Sequence, residues 1–170
     1  MDVLVAVKRR RSVRNFLGKD IPEEIVAVLI DSLIWAPSAG NLQSRRFYMV
    51  KDEELRKKLA GAALNQTFIR EAPLVLVCCS DSRIGRRYGQ RGIELYTIQD
   101  VAASIMCMML AAEEKGLGTC WVGAFNEAEV SRTLDLPAHH RPVALVPVGY
   151  PSRIPKPTSR LPSQDVVFFR

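Results

Sequence analysis

A chain of 170 residues, 48% hydrophobic and 25% charged, has the makeup of one ordinary globular domain with material for a single substantial core. Its formal charge of +6 invites a nucleic-acid partner, but no helix-turn-helix, zinc-finger or aromatic RNA-binding signature accompanies it, so the charge is read as serving phosphates on a small molecule. No basic-then-apolar signal opens at Met1-Asp2-Val3, and the longest uncharged apolar stretch, residues 101–112, is well short of the roughly 20 residues of a spanning helix; a cytoplasmic protein with no membrane partner is expected.

In chain order, Asp2 is placed to cap a first helix burying Val3, Leu4 and Val7, and Pro22-Glu23-Glu24 opens a second carrying Ile25, Val28, Leu29 and Leu33. That helix ends near Ala36-Pro37. Residues 47–50 read as a strand, Asp52 caps a helix through Leu55 and Leu59, and residues 74–79 form a continuous apolar strand, a pattern that implies burial on both faces. The longest periodic segment, residues 94–115, places Ile98, Val101, Ala102, Ile105, Met106, Met109 and Leu110 at helical spacing and predicts the central helix. Residues 119–122 and 143–148 are further strands, with a helix between them opened by the capping box Asn126-Glu127-Ala128-Glu129.

Cys78, Cys79, Cys107 and Cys120 lie in apolar segments with no C-x-x-C pair and no histidine at ligand spacing, which points to reduced thiols rather than disulfides or zinc. His139-His140 reads as a turn. Gly116-Leu117-Gly118 is not a dinucleotide fingerprint, because a helix precedes it and a strand follows, the reverse of the required order. Gly116 is instead a helix stop. Past it, Gly123 and Ala124 at a strand end either let a ligand approach main-chain N–H groups closely or simply mark a strand leaving the core.

Two N-terminal segments carry the functional signal. Arg9-Arg10-Arg11-Ser12-Val13-Arg14 is either a solvated face complementing a helix C-terminus or an anion cradle offering guanidinium forks and a hydroxyl to a phosphate. Ala36-Pro37-Ser38-Ala39-Gly40-Asn41-Leu42-Gln43 supplies turn residues together with donors and acceptors suited to a heteroaromatic edge. Further along, Arg83, Arg86, Arg87 and Arg91, opposed by Asp81 and Glu94, form either a charged solvated loop or the border of a site for anions. In the tail, Pro151, Pro155, Pro157 and Pro162 keep the chain extended while Arg153, Lys156 and Arg160 punctuate it, and Val166-Val167-Phe168-Phe169 is apolar enough to require a sheet edge, that of another subunit included.

Taken in order, R-R-S-V-R-N-F, A-P-S-A-G-N-L-Q, N-Q-T-F-I-R-E-A-P, G-L-G-T-C-W-V-G-A-F, V-G-Y-P and S-R-L-P resemble the flavin-dependent nitroreductase family over nearly the whole chain. The resemblance implies one α+β domain over residues 1–170. Its expected architecture is a three-layer sandwich with a mixed central sheet flanked by helices, in a homodimer that exchanges C-terminal tails. It also implies FMN at the subunit interface and NADH or NADPH as electron donor. Arg10, Arg11, Ser12 and Arg14 of one subunit would then serve the phosphate, ribityl chain and pyrimidine edge, with Pro37, Ser38, Ala39 and Asn41 contributed by the other. Asn65 matches a flavin-contacting asparagine, Gly123 and Ala124 match the main-chain segment near the flavin N5, and Arg160 matches a tail arginine at the phosphate.

Two departures stand out. Ser44-Arg45 follows Gln43 where the family commonly has Pro-Trp, and Thr158 occupies the place of a tail lysine, which Lys156 is positioned to replace. The resemblance further implies that the flavin carries the chemistry, with no catalytic side chain and no metal, and reduces a small-molecule acceptor such as a nitroaromatic or a quinone. A specialised enzyme for reductive dehalogenation or flavin fragmentation, and a non-catalytic flavin-binding protein, are the alternative readings.

Overall fold

The computed structural model describes residues 1–170. Strand β2 (Leu74–Asp81) is buried along its whole length because it lies between two apolar clusters. Val75, Val77 and Cys79 point into one, Leu74, Leu76 and Cys78 into the other, the period-two alternation of a strand covered on both faces. Three more strands complete the sheet: β1 (Arg45–Val50), β3 (Gly118–Thr119) and β4 (His140–Gly149), in the order β1-β2-β4-β3 with every pair antiparallel. The one parallel pairing is an isolated bridge between Ser12, outside the four strands, and Thr119 of β3.

Helices form the outer layers. On one face lie α3 (Glu53–Ala62), α4 (Phe68–Glu71) and α7 (Glu127–Thr133), contributing Leu59, Ile69 and Val130 to the first cluster. On the other lie α2 (Glu23–Ile34) and α6 (Thr97–Glu114), contributing Leu29, Leu33, Val101, Ile105 and Met109 to the second. The predicted helix starts hold: Asp52 accepts from the Leu55 N–H, Asn126 from the Glu129 N–H, and Pro22 immediately precedes α2. Gly116, at φ 74, ends the C-terminal turn of α6 as expected.

Four expectations are corrected. Helix α1 (Val3–Arg9) is capped by Asp2 as predicted, but Val3, Leu4 and Val7 are exposed and only Ala6 is buried. Residues 119–122 pair as two-residue β3 plus a bridge from Val122 to Leu145 rather than as one strand. His140 opens β4 instead of lying in a turn. The segment before α6 is helical too: a tight turn at Ser82–Ile84, α5 (Gly85–Arg91) and a π turn at Gly92–Tyr96. The resulting run from Ser82 to Glu114 is long and apolar enough, by length and composition, to cross a membrane. Gly89 breaks it at φ 56, and Val101, Ile105, Met108 and Met109 of α6 are buried in the core beside the sheet.

Candidate active site

Past α1 the chain becomes extended and runs alongside β3, where the Val13 N–H donates to the Thr119 carbonyl at 2.9 Å. The approach is close enough that a Cβ on Gly118 would lie 2.7 Å from the Val13 side chain, so only glycine fits there. Val13 is buried, while Arg14 lies over the Phe68 ring, 5.8 Å from its centroid. Arg10 and Arg14 both reach the surroundings of Cys120: burial pushes that thiol up from its ordinary value, against the pull of both guanidinium charges and a hydrogen bond with Arg14. Neither Arg10 nor Arg14 has a carboxylate partner. Arg11 is placed differently. Its guanidinium turns back onto the carbonyls of Lys8, Arg9 and Arg10 at 2.7, 2.8 and 2.9 Å, and it lines a separate cleft with Gly116, Gly118 and Pro151.

The turn after α3 joins the same rim. Leu64 and Asn65 both adopt φ 58, which swings the chain back so that the Gln66 amide donates to Ala63 O at 2.9 Å and Ala124 O at 3.4 Å. The Asn126 N–H donates to Ala62 O at 2.8 Å, tying the turn to the segment that carries Gly123 and Ala124. Asn65, Gly123 and Ala124 are exposed. Arg10, Ser12, Arg14, Asn65, Gly123 and Ala124 therefore border one edge of the sheet, linked through Thr119, Cys120, Phe68 and Gln66.

The loop bearing Pro37, Ser38, Ala39 and Asn41 is built elsewhere, between the end of α2 and the start of β1. Gly40, Asn41 and Gln43 have φ of 54, 55 and 52, and the Ser38 hydroxyl accepts the Gln43 N–H at 3.1 Å. A Cβ on Gly40 would collide with the Tyr88 hydroxyl of α5. Two buried charges hold the loop from beneath. Arg45 donates to the carbonyls of Ile34, Ala36 and Pro37 at 2.8, 2.7 and 2.9 Å, and Asp100 accepts the Ala39 N–H at 2.8 Å. Burial draws the Arg45 guanidinium below the usual arginine value, while the charge of Asp100 and then Cys107 act to keep it up. Neither Arg45 nor Asp100 is foreseen from sequence; the signal was a carboxylate interrupting the apolar stripe of α6.

No hydrogen bond or ion pair joins loop 37–43 to the Arg10–Arg14 rim within one chain. Arg160 is apart from both, on the exposed tail, its guanidinium donating to Thr158 and Ser159. The tail ends in Val166, Val167, Phe168 and Phe169, all exposed, and Trp35 and Ile34 at the end of α2 are exposed as well. At the far end of the sheet Asp81, His139 and His140 lie close together, but Arg46 and Arg83 already neutralise Asp81. The His140 Nδ1 shares a hydrogen bond with the Tyr48 hydroxyl at 2.7 Å. Two guanidinium groups on the carboxylate leave it no net charge for a cation.

Fold and rim together define an α+β sandwich with an edge that carries two arginines without carboxylate partners, and a second, separately built polar loop. The chain belongs to the nitroreductase family, whose match covers two overlapping stretches, residues 7–81 and 61–150. It is similar to a putative NADH dehydrogenase/NAD(P)H nitroreductase of Methanothermobacter thermautotrophicus, with 29% identity over 91% of this chain and 80% of the relative. It is also similar to a 5,6-dimethylbenzimidazole synthase of Rhodospirillum rubrum, with 33% identity over 84% of this chain and 78% of that protein. Among solved structures, the NADPH:FMN oxidoreductase of Vibrio harveyi complexed with NAD+ superposes with a TM-score of 0.91 at 28% identity, covering 98% of this chain and 76% of that one.

Proposed function

We propose that the chain is an NAD(P)H-dependent FMN oxidoreductase acting as a homodimer, with the flavin held non-covalently where the rim of one subunit meets loop 37–43 of the other. The observation that carries this reading is the pair Arg10 and Arg14: two guanidinium groups without carboxylate partners, flanking the segment that pairs with β3 through Val13, on the edge that also presents Asn65 and Gly123-Ala124. Unneutralised forks of this kind suit a phosphate. The names of the Methanothermobacter and Vibrio relatives support the same chemistry.

When bound, FMN supplies the redox step, accepting hydride from a reduced nicotinamide and passing electrons to an acceptor. The protein's part is holding and orienting. Arg10, Arg14 and the Ser12 hydroxyl would hold the phosphate and ribityl chain, with Arg11 and Arg160 joining them if the second subunit reorders the α1 end and the tail. Asn65 and the main-chain N–H groups of Gly123 and Ala124 would address the ring, and Pro37, Ser38, Ala39 and Asn41 would close over it from the partner. Nitroaromatics, quinones or related acceptors would then be reduced in a ping-pong cycle at one ring face. A cytoplasmic location and a single domain over residues 1–170 belong to this reading, in keeping with four free cysteines, three of them buried.

The test is the chromophore of the purified protein. Absorbance and mass spectrometry should find FMN, and NAD(P)H oxidation with varied quinone should give parallel double-reciprocal lines. Released FAD, or no flavin after reconstitution, would overturn the reading. Formation of 5,6-dimethylbenzimidazole from bound flavin would replace it with the activity named for the Rhodospirillum relative.

A further inference from the structure

Arg46, Arg83, Arg86 and Arg87, with Ser44 and Asp81, line a cleft of about 380 Å³ at the β1–β2 end of the sheet. Its charge is unbalanced. Asp81 is the one carboxylate lining it, and that group is engaged by Arg83 at 2.5 Å and by Arg46 at 3.0 Å. Arg86 and Arg87, exposed on α5, have no acidic partner. Nearby groups do not supply one: Glu94 is taken by the Gln90 amide at 2.6 Å, and Arg91 turns away to the Tyr96 ring, 5.4 Å from its centroid. Of the arginines and acids expected at this border, Arg91 and Glu94 therefore stand outside the cleft.

The cleft floor is fixed in place. The Asp81 N–H donates to Ser44 O at 3.1 Å and to the Thr97 hydroxyl at 3.2 Å, and that hydroxyl donates to Ser44 O at 2.6 Å. The wall is fixed as well. A Cβ on Gly85 or Gly92 would lie 2.7 Å from Ile93 or Tyr88, so α5 packs tightly on the π turn that follows it. Tyr88 of the same helix sits against Gly40, and Leu42, next along the chain from Asn41, also lines the cleft. The cationic cleft thus opens directly beside loop 37–43.

We propose that this cleft seats the 2′-phosphate of an NADP-type nucleotide and sets a preference for NADPH over NADH, an inference that rests on the nicotinamide-dependent reading above. A phosphomonoester dianion matches what is present: two forks without acceptors, two more oriented by Asp81, and room beyond the phosphate for the ribose that carries it. NADH carries only a hydroxyl at that position.

Titration calorimetry on the FMN-loaded protein would compare adenosine 2′,5′-bisphosphate with adenosine 5′-monophosphate and inorganic phosphate. The bisphosphate should bind roughly tenfold or more tightly than the monophosphate. That advantage should be lost in the Arg86→Gln/Arg87→Gln double variant, partly retained with lysine at both positions, and diminished by salt in the wild type. In steady state, the ratio of kcat/KM for NADPH to that for NADH should fall by a similar factor in the double variant. Equal binding of the two nucleotides, an advantage that survives in the double variant, or inorganic phosphate binding as tightly as the bisphosphate would overturn the proposal, the last revealing a site for free anions. Flavin absorbance of the same samples separates the two readings: loss of FMN strikes the cofactor reading, whereas the calorimetry reads the cleft.

Discussion

The Ala39 N–H and the Asp100 carboxylate are joined by a 2.8 Å hydrogen bond, tying the exposed loop 37–43 to the buried face of α6. Beside it, Arg45 donates to the carbonyls of Ile34, Ala36 and Pro37, where the chain leaves α2. A loop with three positive-φ residues, Gly40, Asn41 and Gln43, gains its single shape from this pair of buried charges rather than from regular structure.

Arg45→Met should therefore be costly. It leaves three carbonyls without their charged donor and Asp100 without its neighbouring cation, a loss on the order of 2 to 3 kcal/mol. For a domain of this size that corresponds to a fall of roughly 5 to 10 °C in Tm. Asp100→Asn keeps an acceptor for Ala39 and should cost less. Differential scanning calorimetry of both variants checks the order, and equal Tm values in Arg45→Met and wild type would refute the bracing role.

Arg10→Ala and Arg14→Ala should each weaken FMN binding by roughly ten- to a hundredfold, the worth of one charge-assisted contact of about 1.5 to 3 kcal/mol. Arg160→Ala should do the same if the tail folds onto the phosphate in the dimer. Fluorescence titration of apoprotein gives the affinities directly. Unchanged binding in all three variants would return these arginines to solvated surface.

How legible this was in the sequence depends on how local the determining contacts are. Strand β2 announced itself, because a run buried on both faces has no polar alternation to obscure it. Helix starts at Asp52 and Asn126 were equally plain, since a cap bonds within three residues. Arg45 was unreadable as a core residue: its acceptors lie eight to eleven positions back, and a charge at a strand start ordinarily faces solvent. The exposed face of α1 was misread for a related reason. Periodicity reports that Val3, Leu4 and Val7 share an apolar character, not whether their own chain or a second copy covers them. At the site, residue types in R-R-S-V-R were enough to suggest an anion, but the separate placement of Arg11 follows from its bonds to Lys8, Arg9 and Arg10, which spacing does not reveal.

A dimer is the expected state in solution, with a partner subunit covering apolar side chains that this chain leaves exposed, Val3, Leu4, Trp35, Phe168 and Phe169 among them. Truncation after Pro162 removes the apolar tail and should loosen the dimer without unfolding the sandwich, whose core contains none of the deleted residues. Light scattering of full-length and truncated protein across a dilution series would show this. A flavin-loaded monomer in the full-length protein would contradict the shared site.

Stability at low pH should depend on Asp81. Burial alone would raise its carboxyl, but hydrogen bonds from Arg83 and the charges of Arg46 and Arg83 outweigh that and hold it at about 2. Because the folded value lies below the unfolded one of about 3.9, the contribution is present in full above that value and is lost as pH falls through the window down to about 2. The partly exposed guanidinium groups reduce its worth to about 1 to 2 kcal/mol. Asp81→Asn should accordingly lower stability at neutral pH and flatten the loss between pH 4 and 2 (about the window given by the two values). Urea unfolding at a series of pH values measures both effects, and a variant whose acid slope matches that of the wild type would show that another carboxylate governs the transition.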